Sequence, residues 1–366
     1  MKPFDVCVIG AGGVVGSAIL RALASTGLSV LGLERHDGPA RETSGLNSRV
    51  VHSGFHEIPG TLKSELALAG SRMLISYAEE KGVPLLRSGM LIAVPRGAIQ
   101  HGLWREAGAL WHLWRNGRSH GVQFKWIVSS SGIRKLAPIQ AIGGIFIPSV
   151  CVVDILELVA SLQRDAVARQ ADVRYNCPAL NIRTEHGYYI VSTPIADFEA
   201  KALVNSAGLA AASVSKMAGG PAYSVELLRG EYYELRGGMA RWGIRTLVYP
   251  AMPARSPSKG VHFGPRTDGR LFIGPNAMDV NSPPAAKSTF IEAARKFLPD
   301  IRDEDLEYSC AGIRPKHSSA DGVSDFVIRL DHHNPALINL IGIDSPGLSS
   351  SMAIAQRVGD MLRATS

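Results

Sequence analysis

Four glycines lie within seven residues near the start of the chain, in the stretch GAGGVVG at positions 10–16. Glycines at such spacing form a tight turn whose backbone can approach a phosphate closely, and the amides of a following helix favour its negative charge. An acidic residue, Glu34, lies where a carboxylate would accept hydrogen bonds from ribose hydroxyls. These residue types in this order predict a dinucleotide site, and the motif by itself leaves FAD and NAD both open.

The hydrophobic pattern on either side of the turn indicates the elements that must position it. A short apolar run at residues 4–9 is typical of a buried parallel strand and leads directly into the glycines. An apolar face at helical spacing follows and ends near Gly27, before a second apolar run at residues 29–34. The order strand, helix, strand predicts a βαβ unit of the Rossmann type.

The glycine spacing departs from the usual GxGxxG pattern, because Gly10 and Gly16 are one residue further apart. Either Gly13 is an extra residue in the turn, or Ala11, Gly13 and Gly16 occupy the three positions of the pattern.

Composition narrows the class of protein. The 366 residues are 46% hydrophobic and 19% charged, as in a globular protein with a sizeable core, and the length suits two domains. The net charge is +7, and we interpret the basic residues as scattered, which favours a small anionic substrate or an acidic surface partner over a nucleic-acid groove.

Two further patterns concern metals and location. Cysteines without CxxC spacing, and histidines that do not pair with them at zinc-ligand spacing, predict no metal site. The N-terminus has no signal-peptide pattern and no apolar stretch is long enough to span a membrane, so the cytoplasm is the expected location.

Seven segments along the chain carry a resemblance to a known family. They are TSGLNSRVVHSG (43–54), PGTLK (59–63), RGEYY (229–233), GVH (260–262), GPN (274–276), GIRPK (312–316) and GIDSPGL (342–348). In this order they resemble the L-2-hydroxyglutarate dehydrogenase/oxidase family, within the D-amino-acid-oxidase-like group of flavoenzymes. The similarity extends from residue 4 to about residue 362 and is weakest between residues 95 and 150.

The resemblance implies FAD as the cofactor and oxidation of a 2-hydroxy acid to a 2-oxo acid, with hydride transfer to flavin N5. In this family the loop with Asn47, Ser48 and His52 runs beside the flavin, and the C-terminal glycine loop closes over the isoalloxazine edge. The residues expected to bind FAD are Gly10, Gly12, Gly13, Gly16, Glu34, Arg35, Thr43, Ser44, Asn47, Ser48, Ala179, Ala207, Gly208, Gly312, Gly342, Ser345, Pro346, Gly347, Leu348 and Ser349.

Oxidation of a 2-hydroxy acid needs a cation that holds the carboxylate, and Arg314 is the main candidate. A guanidinium binds a carboxylate through two parallel hydrogen bonds and keeps its charge at every working pH. Lys316 is a second candidate, for a distal carboxylate. The alternative is that Arg314 is a surface residue paired with Asp321 or Asp325.

The reaction also needs a base for the hydroxyl proton, and His52 and His262 are the two candidates, because imidazole titrates near neutral pH. We expect both to line the site, with His52 nearer the chemistry. His56 stands where the family usually has a tyrosine, and Arg49 would add positive charge near the flavin.

Two further features are expected at the site. Tyr233 or Tyr249 would hydrogen-bond a carboxylate, although packing in a sheet is the commoner fate of a tyrosine. The stretch 345–349 opens the last helix, whose first amides would stabilise the negative charge of the reduced flavin.

The expected fold class is α/β, with a Rossmann-type FAD-binding domain interleaved with a mostly antiparallel α+β substrate domain. The FAD-binding segments are predicted at 1–80, 150–220 and 305–366, and the substrate domain at 81–149 and 221–304. Strands of the substrate domain are expected near residues 85–94, 231–236, 246–252, 260–265 and 270–273.

Trp104, Trp111 and Trp114 recur at helical spacing, which predicts a stripe that faces the core. The alternative is that these residues, with neighbouring arginines, form a patch on the membrane interface, where electrons would pass to quinone. Peripheral contact at the inner membrane face is therefore left open, as is the electron acceptor, oxygen or quinone.

Three functions compete at this point. The first is oxidation of L-2-hydroxyglutarate. The second keeps the fold but oxidises an amine or amino acid. The third is a flavin-binding or scaffold protein that has lost catalysis, suggested by the altered glycine turn.

Overall fold

The computed structural model describes residues 2–252, 260–318 and 322–364. The strands in these residues are β1 (Phe4–Ile9), β2 (Val30–Leu33), β3 (Val50–Val51), β4 (Leu85–Leu86), β5 (Met90–Pro95), β6 (Lys125–Ile127), β7 (Ala141–Ile147), β8 (Cys151–Val153), β9 (Asp172–Arg174), β10 (Asn181–Glu185), β11 (Tyr188–Ser192), β12 (Asp197–Asn205), β13 (Glu226–Leu235), β14 (Leu247–Pro250), β15 (His262–Pro265), β16 (Leu271–Gly274), β17 (Met278–Asp279), β18 (Leu306–Lys316), β19 (Val327–His333) and β20 (Ala336–Ile341). The helices are α1 (Val14–Ala24), α2 (Leu62–Glu80), α3 (Trp104–Ser119), α4 (Ser130–Leu136), α5 (Ile155–Val167), α6 (Ala211–Met217), α7 (Gly238–Trp242), α8 (Lys287–Arg295) and α9 (Gly347–Arg363). Short 3₁₀ turns cover Arg96–His101, Gly208–Ala210 and Asp303–Asp305.

The first sheet carries the glycine turn. Its parallel centre has the order β20-β12-β1-β2-β9, and the antiparallel strands β10, β11 and β19 extend it. The predicted strand at residues 4–9 is β1, and β2 occupies the predicted run at 29–34 with slightly shorter bounds. Because α1 begins at Val14, directly after the glycines, the predicted Rossmann-type unit is confirmed.

Helices cover both faces of this sheet, as a parallel sheet requires. One face packs against α1, α2, α5 and α9, and its core includes Ile19, Leu74, Leu158 and Ile354. The helix α5 begins after Asp154, whose carboxylate accepts hydrogen bonds from the backbone N–H groups of Leu156 and Glu157. The other face is covered by α6.

The second sheet has nine strands in the order β17-β13-β16-β15-β14-β5-β7-β6, with β18 also paired to β13. All its pairings are antiparallel except that of β5 with β14. The strand predicted at residues 85–94 is interrupted at Gly89, whose φ of +59° lies in the left-handed region, so that β4 joins a separate small sheet with β3 and β8.

The strand β18 was predicted to belong to the FAD-binding domain, but it lies in the second sheet. The FAD-binding segment 305–366 was expected to begin just before β18, but β18 pairs with β13 along its whole length and therefore belongs to the second sheet. The chain therefore passes from the second sheet back to the first sheet after β18, the strand that carries Arg314.

The prediction of a core-facing tryptophan stripe is wrong for two of its three residues. On α3 the buried side chains are Ala109, Leu110 and Leu113, whereas Trp104 is 88% exposed and Trp111 is 57% exposed. Of the described helices, none is long and apolar enough to cross a membrane.

Candidate active site

A cavity of about 810 Å³ lies between the two main sheets and contains most of the predicted site residues. Its walls are the glycine turn after β1, the loop at residues 40–48, the strands β13, β14, β15 and β18, and the loop before α9. The carboxyl ends of parallel strands are the usual ligand-binding edge of such a sheet, so the location agrees with the glycine motif.

The glycines of the turn have different roles. Gly10 has a φ of +84°, and Cβ atoms added at Gly12 and Gly16 would lie 2.6 Å from Glu34 Oε2 and 2.2 Å from the carbonyl oxygen of Gly10, so all three are fixed by the fold. A Cβ atom at Gly13 would meet no atom closer than 3.5 Å. Gly13 lies on the cavity wall at the N-cap of α1, so only a bound ligand would require a glycine there.

The two alternatives for the glycine spacing differ in the roles that they give to Ala11 and Gly13. Ala11 is fully buried and does not line the cavity, whereas Gly13 lies on the cavity wall at the start of α1, and a Cβ atom there would make only ordinary van der Waals contacts. The open space at a helix N-terminus fits a pyrophosphate, since unpaired backbone amides and the helix dipole both favour negative charge there.

The acid at the end of β2 holds the turn in place. The carboxylate of Glu34 accepts hydrogen bonds from the backbone N–H groups of Gly12 and His36, both at 2.9 Å. Next to it, Arg35 and His36 contact Glu42; burial opposes ionisation of this acid, but the hydrogen bonds with His36 and Arg35 outweigh burial and lower the pKa of Glu42. The rim of the cavity beside the glycine turn therefore carries paired charges.

The loop at residues 43–48 joins the two halves of the cavity. The Ser44 hydroxyl accepts a hydrogen bond from the Val14 N–H at 3.0 Å, and the Thr43 hydroxyl donates one to the Ile313 carbonyl at 2.7 Å. A Cβ atom at Gly312 would lie 1.9 Å from the carbonyl oxygen of Leu46, so a glycine is needed for this close approach. Asn47 donates to the carbonyls of Thr43 and Ser44, which fixes the loop beside the glycine turn.

Arg314 and Lys316 both line the cavity from β18. Alternate residues of a strand share one face, so their side chains point the same way from Cα atoms about 7 Å apart. Arg314 donates one hydrogen bond, from Nη2 to the Asn276 carbonyl at 3.1 Å. Lys316 lies 3.9 Å from the carboxylate of Glu226, which is a loose contact on a partly exposed surface.

The proposed surface pairing of Arg314 finds no support in the described residues. Asp325 instead accepts hydrogen bonds from the backbone N–H groups of Leu62 and Lys63 at 2.9 Å, at the start of α2. Asp321 lies outside the described residues.

Both candidate bases lie in one aromatic cluster on the cavity wall. The ring of His52 is 6.0 Å from that of His56 and 6.4 Å from that of Tyr249, and His262 stacks on Tyr249 at 3.7 Å with an angle of 14° between the planes. His262 Nδ1 contacts the Gly260 carbonyl at 3.1 Å, so this ring is held on two sides. Burial raises the pKa of Tyr249 well above 10, which keeps its hydroxyl protonated.

The loop before α9 reaches the same cavity. Ser345, Pro346, Gly347 and Leu348 line it, and no side chain of the described residues caps the first turn of α9. The Gly347 N–H donates to the Asp344 carbonyl at 2.5 Å, so in the described residues it is the next two amides, those of Leu348 and Ser349, that are available to a negatively charged partner.

The other residues predicted to bind FAD fall into two groups. Ser48, Ala179, Ala207 and Gly208 line the cavity. Ser349 and Gly342 do not: the Ser349 hydroxyl accepts a hydrogen bond from the His52 N–H at 2.8 Å, and Gly342, with a φ of +67°, packs against His317. These two residues therefore position their neighbours, His52 and His317, and do not border the cavity themselves.

The structure does not bring two of the predicted substrate-binding residues, Arg49 and Tyr233, to the cavity. Arg49 does not line the cavity; it lies on a left-handed turn with a φ of +59°, and burial together with the like charge of Arg266 lowers its pKa. Tyr233 packs in the core of the second sheet, with its ring 4.7 Å from Phe290 and 5.6 Å from Tyr308.

Tyr232 occupies the place that Tyr233 was expected to take. It lines the cavity together with Leu228 and Gly230, which share its face of β13, and burial raises its pKa. The alternation of side chains along β13 separates Tyr232 from Tyr233, but it does not show which face of the strand borders the cavity.

Lys63 and Asp344 form a buried pair that sequence reasoning missed. Lys63 Nζ lies 2.6 Å from Asp344 Oδ1, both side chains are at most 10% exposed, and both line the cavity. Burial raises the pKa of Asp344, and the nearby Lys63 offsets only part of that effect. The two residues are far apart in the sequence, in segments that carry the family resemblance, and nothing in either segment indicates that they meet.

Comparison with known proteins agrees with this geometry. A family model described as FAD dependent oxidoreductase matches residues 5–361. The chain is 31% identical to a mitochondrial L-2-hydroxyglutarate dehydrogenase of Arabidopsis thaliana, over 97% of this chain and 83% of that protein. It is 28% identical to a glycerol 3-phosphate dehydrogenase of Caloramator mitchellensis, over 98% of this chain and 74% of the relative. Among solved structures, an L-alpha-glycerophosphate oxidase of Mycoplasma pneumoniae with FAD bound has a TM-score of 0.88 at 24% identity, covering 99% of this chain and 95% of that one, which shows the fold.

Proposed function

Because the chain belongs to the family of FAD dependent oxidoreductases, in which FAD is the cofactor, we propose that it oxidises L-2-hydroxyglutarate, or a close 2-hydroxy acid, to the 2-oxo acid. The residues present fit FAD: the part of the cavity beside Gly13 would take the pyrophosphate, and the start of α9, where no N-cap side chain is bound, would face the flavin. When bound, FAD supplies the acceptor for the two electrons that the substrate loses.

The observation that carries the proposal is the pair of cations on one face of β18. Arg314 would hold the carboxylate next to the reacting carbon through two charge-assisted hydrogen bonds. Lys316, about 7 Å along the strand, would contact the second carboxylate of a five-carbon dicarboxylate. A monocarboxylate substrate would not use Lys316, whose loose contact with Glu226 leaves the ammonium able to bind a substrate carboxylate.

His52 is proposed as the base that takes the hydroxyl proton. Its backbone is fixed by Ser349 and its ring lies at the cavity wall beside Tyr249. His262 is held by stacking and by the Gly260 carbonyl, which suits it to orient Tyr249. Protonated Tyr249 and Tyr232 would donate hydrogen bonds to substrate oxygens.

An anaerobic titration tests the proposal. The purified holoenzyme is mixed without oxygen with L-2-hydroxyglutarate, D-2-hydroxyglutarate, L-lactate or sarcosine, and bleaching of the visible flavin band is followed. Selective bleaching by L-2-hydroxyglutarate is expected. Bleaching by sarcosine with the hydroxy acids inert would replace the proposal with amine oxidation.

Oxidation of glycerol 3-phosphate is the second candidate, favoured by the relative from Caloramator mitchellensis that carries that name. A phosphate would also bind Arg314 and Lys316, since both cations bind phosphate. The same titration with glycerol 3-phosphate separates the two. The variant Lys316→Met tests the role of the second cation, because it should weaken binding of a dicarboxylate about tenfold and that of L-lactate hardly at all.

The roles of the two histidines can be separated by pH. In the variant His52→Gln, flavin reduction should be slow and lose the rise with pH that a neutral imidazole base gives. In His262→Gln the rate should fall less and keep its pH dependence. The reverse pattern would assign the base to His262.

A further inference from the structure

The net charge of the chain is concentrated in one segment, contrary to the scattered distribution we inferred from the sequence. Residues 96–135, called the basic segment below, contain seven arginines and lysines and a single acid, Glu106. Their net charge of +6 accounts for almost all of the +7 of the chain. The segment includes α3, β6 and most of α4.

The basic segment also holds a large share of the exposed apolar surface. Six of the twelve large hydrophobic side chains that are exposed in the described residues belong to it: Ile99, Leu103, Trp104, Trp111, Trp126 and Val128. Trp111 stacks on Trp114 at 4.8 Å, and the ring of Trp114 lies 6.4 Å from that of Trp126. Trp111, Trp114 and Trp126 therefore form one connected aromatic surface.

Charge and apolar surface coincide on the same face. Trp104, Trp111, Arg115 and Arg118 follow one another along one face of α3 at helical spacing. The Arg118 guanidinium lies 5.2 Å from the ring centre of Trp114. Exposed tryptophans among arginines and lysines are the composition of protein surfaces that rest on a membrane, where the rings lie at the headgroup level and the cations meet anionic lipids.

We propose that the basic segment is a docking surface for an anionic lipid bilayer. Charge complementarity favours this occupant over a second copy of the chain, because two surfaces of net charge +6 would repel each other. The proposal concerns attachment and holds for any substrate of the cavity.

Docking would place the active site next to the bilayer. His112 and Leu113 of α3 line the cavity, and His112 is also exposed to solvent, so α3 lies at the cavity opening. Asn116 donates hydrogen bonds to the carbonyls of Phe55 and Glu57, at 2.6 and 2.8 Å, which ties α3 to the loop that carries His52 and His56. A protein bound through the basic segment thus presents its cavity opening to the membrane surface.

Vesicle binding by the holoenzyme tests the proposal. Sedimentation with vesicles of phosphatidylcholine alone is compared with that of equimolar phosphatidylglycerol and phosphatidylcholine, at about 0.1 M salt and again at about 1 M. We expect binding to the anionic vesicles that weakens with salt, and little binding to the neutral ones.

Variants locate the contact. Since each basic residue near an anionic surface contributes about 1 kcal/mol, Arg115→Glu with Arg118→Glu should weaken binding about thirtyfold or more. Trp104→Ser with Trp111→Ser should weaken it about tenfold. Arg169→Glu with Lys296→Glu is the matched charge control, and Leu180→Ser with Ile195→Ser is the matched apolar control, because these exposed residues lie outside the segment.

Two outcomes would overturn the proposal. If the controls lose as much binding as the segment variants, attachment is a general effect of charge. If the holoenzyme binds neither vesicle but is retained by an immobilised acidic protein through the same arginines, the occupant is a protein. Flavin content and bleaching by substrate, measured in every variant, show that the fold is intact.

Discussion

Replacement of Gly13 by alanine should weaken FAD binding and leave the protein without cofactor as stable as before. The backbone at Gly13, with φ −76° and ψ 157°, is open to any residue, and its added Cβ atom would lie 3.5 Å from the nearest atom. The apoprotein should therefore unfold within about 0.5 kcal/mol of wild type, or be slightly more stable because the unfolded chain loses freedom. With FAD present, the methyl group fills space that the pyrophosphate needs. Overpacking of this kind costs about 1–3 kcal/mol, which corresponds to a dissociation constant raised about 5- to 150-fold.

The variant Gly12→Ala provides the contrast, because its Cβ atom would lie 2.6 Å from Glu34 Oε2 and would displace the carboxylate that accepts the Gly12 N–H. It should destabilise the apoprotein itself, by about 1–3 kcal/mol. Gly97→Ala, with no atom within 4 Å and no place on the cavity wall, is the neutral control. The assays are urea denaturation of each apoprotein and titration with FAD followed by flavin fluorescence. If Gly13→Ala binds FAD within twofold of wild type, the open space at the N-terminus of α1 is not the phosphate site.

Three further predictions concern the substrate clamp, the buried ion pair and the start of the chain. Arg314→Met should raise KM for L-2-hydroxyglutarate about a hundredfold, through loss of two charge-assisted hydrogen bonds, and Arg314→Lys should raise it about tenfold; an unchanged KM in steady-state assays would refute the clamp. Lys63→Met leaves Asp344 buried without its cation and should cost about 3–5 kcal/mol. Because protonation of Asp344 relieves that cost, the loss seen by urea denaturation should shrink as pH is lowered, and an equal loss at about pH 5 and pH 8 would contradict this. Asp5→Asn should cost about 1 kcal/mol near neutral pH, since Lys201 and the Ser29 contacts lower the pKa of Asp5 from 3.8 to about 2 on a partly exposed surface. That stability is present above pH 3.8 and is lost as pH falls towards 2, so the two unfolding curves should converge in acid; a constant difference would mean that the contact is not ionic.

The glycine turn and its flanking elements could be predicted because every signal is local. The apolar run of β1, the glycines and the helical face of α1 follow one another within 24 residues, and each restricts the next. Parallel pairing of β1 with β2 then follows from the short connection through a helix. Glu34 was found for the same reason, since its distance from the turn is set by the length of that unit.

The orientation of a face could not be predicted in the same way. On β13, alternation separates Tyr232 from Tyr233 but does not show which of the two faces is buried in the core. That depends on α8, because its Phe290 packs on Tyr233. On α3 two apolar stripes compete: Leu110 and Leu113 pack inwards, and Trp104 and Trp111 are left outside. Periodicity shows that a stripe exists, whereas its neighbours decide whether it is buried.

The catalytic candidates lie where the chain crosses between the two sheets, which explains why the resemblance found them and local patterns did not. Arg314 belongs to a strand of the second sheet, but its position depends on Gly312, against which the carbonyl of Leu46 packs. His52 likewise depends on the Ser349 hydroxyl from α9. A change at Gly312 or Ser349 should therefore disturb cofactor and substrate sites together, although neither residue is expected to touch the substrate. The positions of these residues depend on packing between segments that are far apart in the sequence, so no short stretch of sequence predicts them.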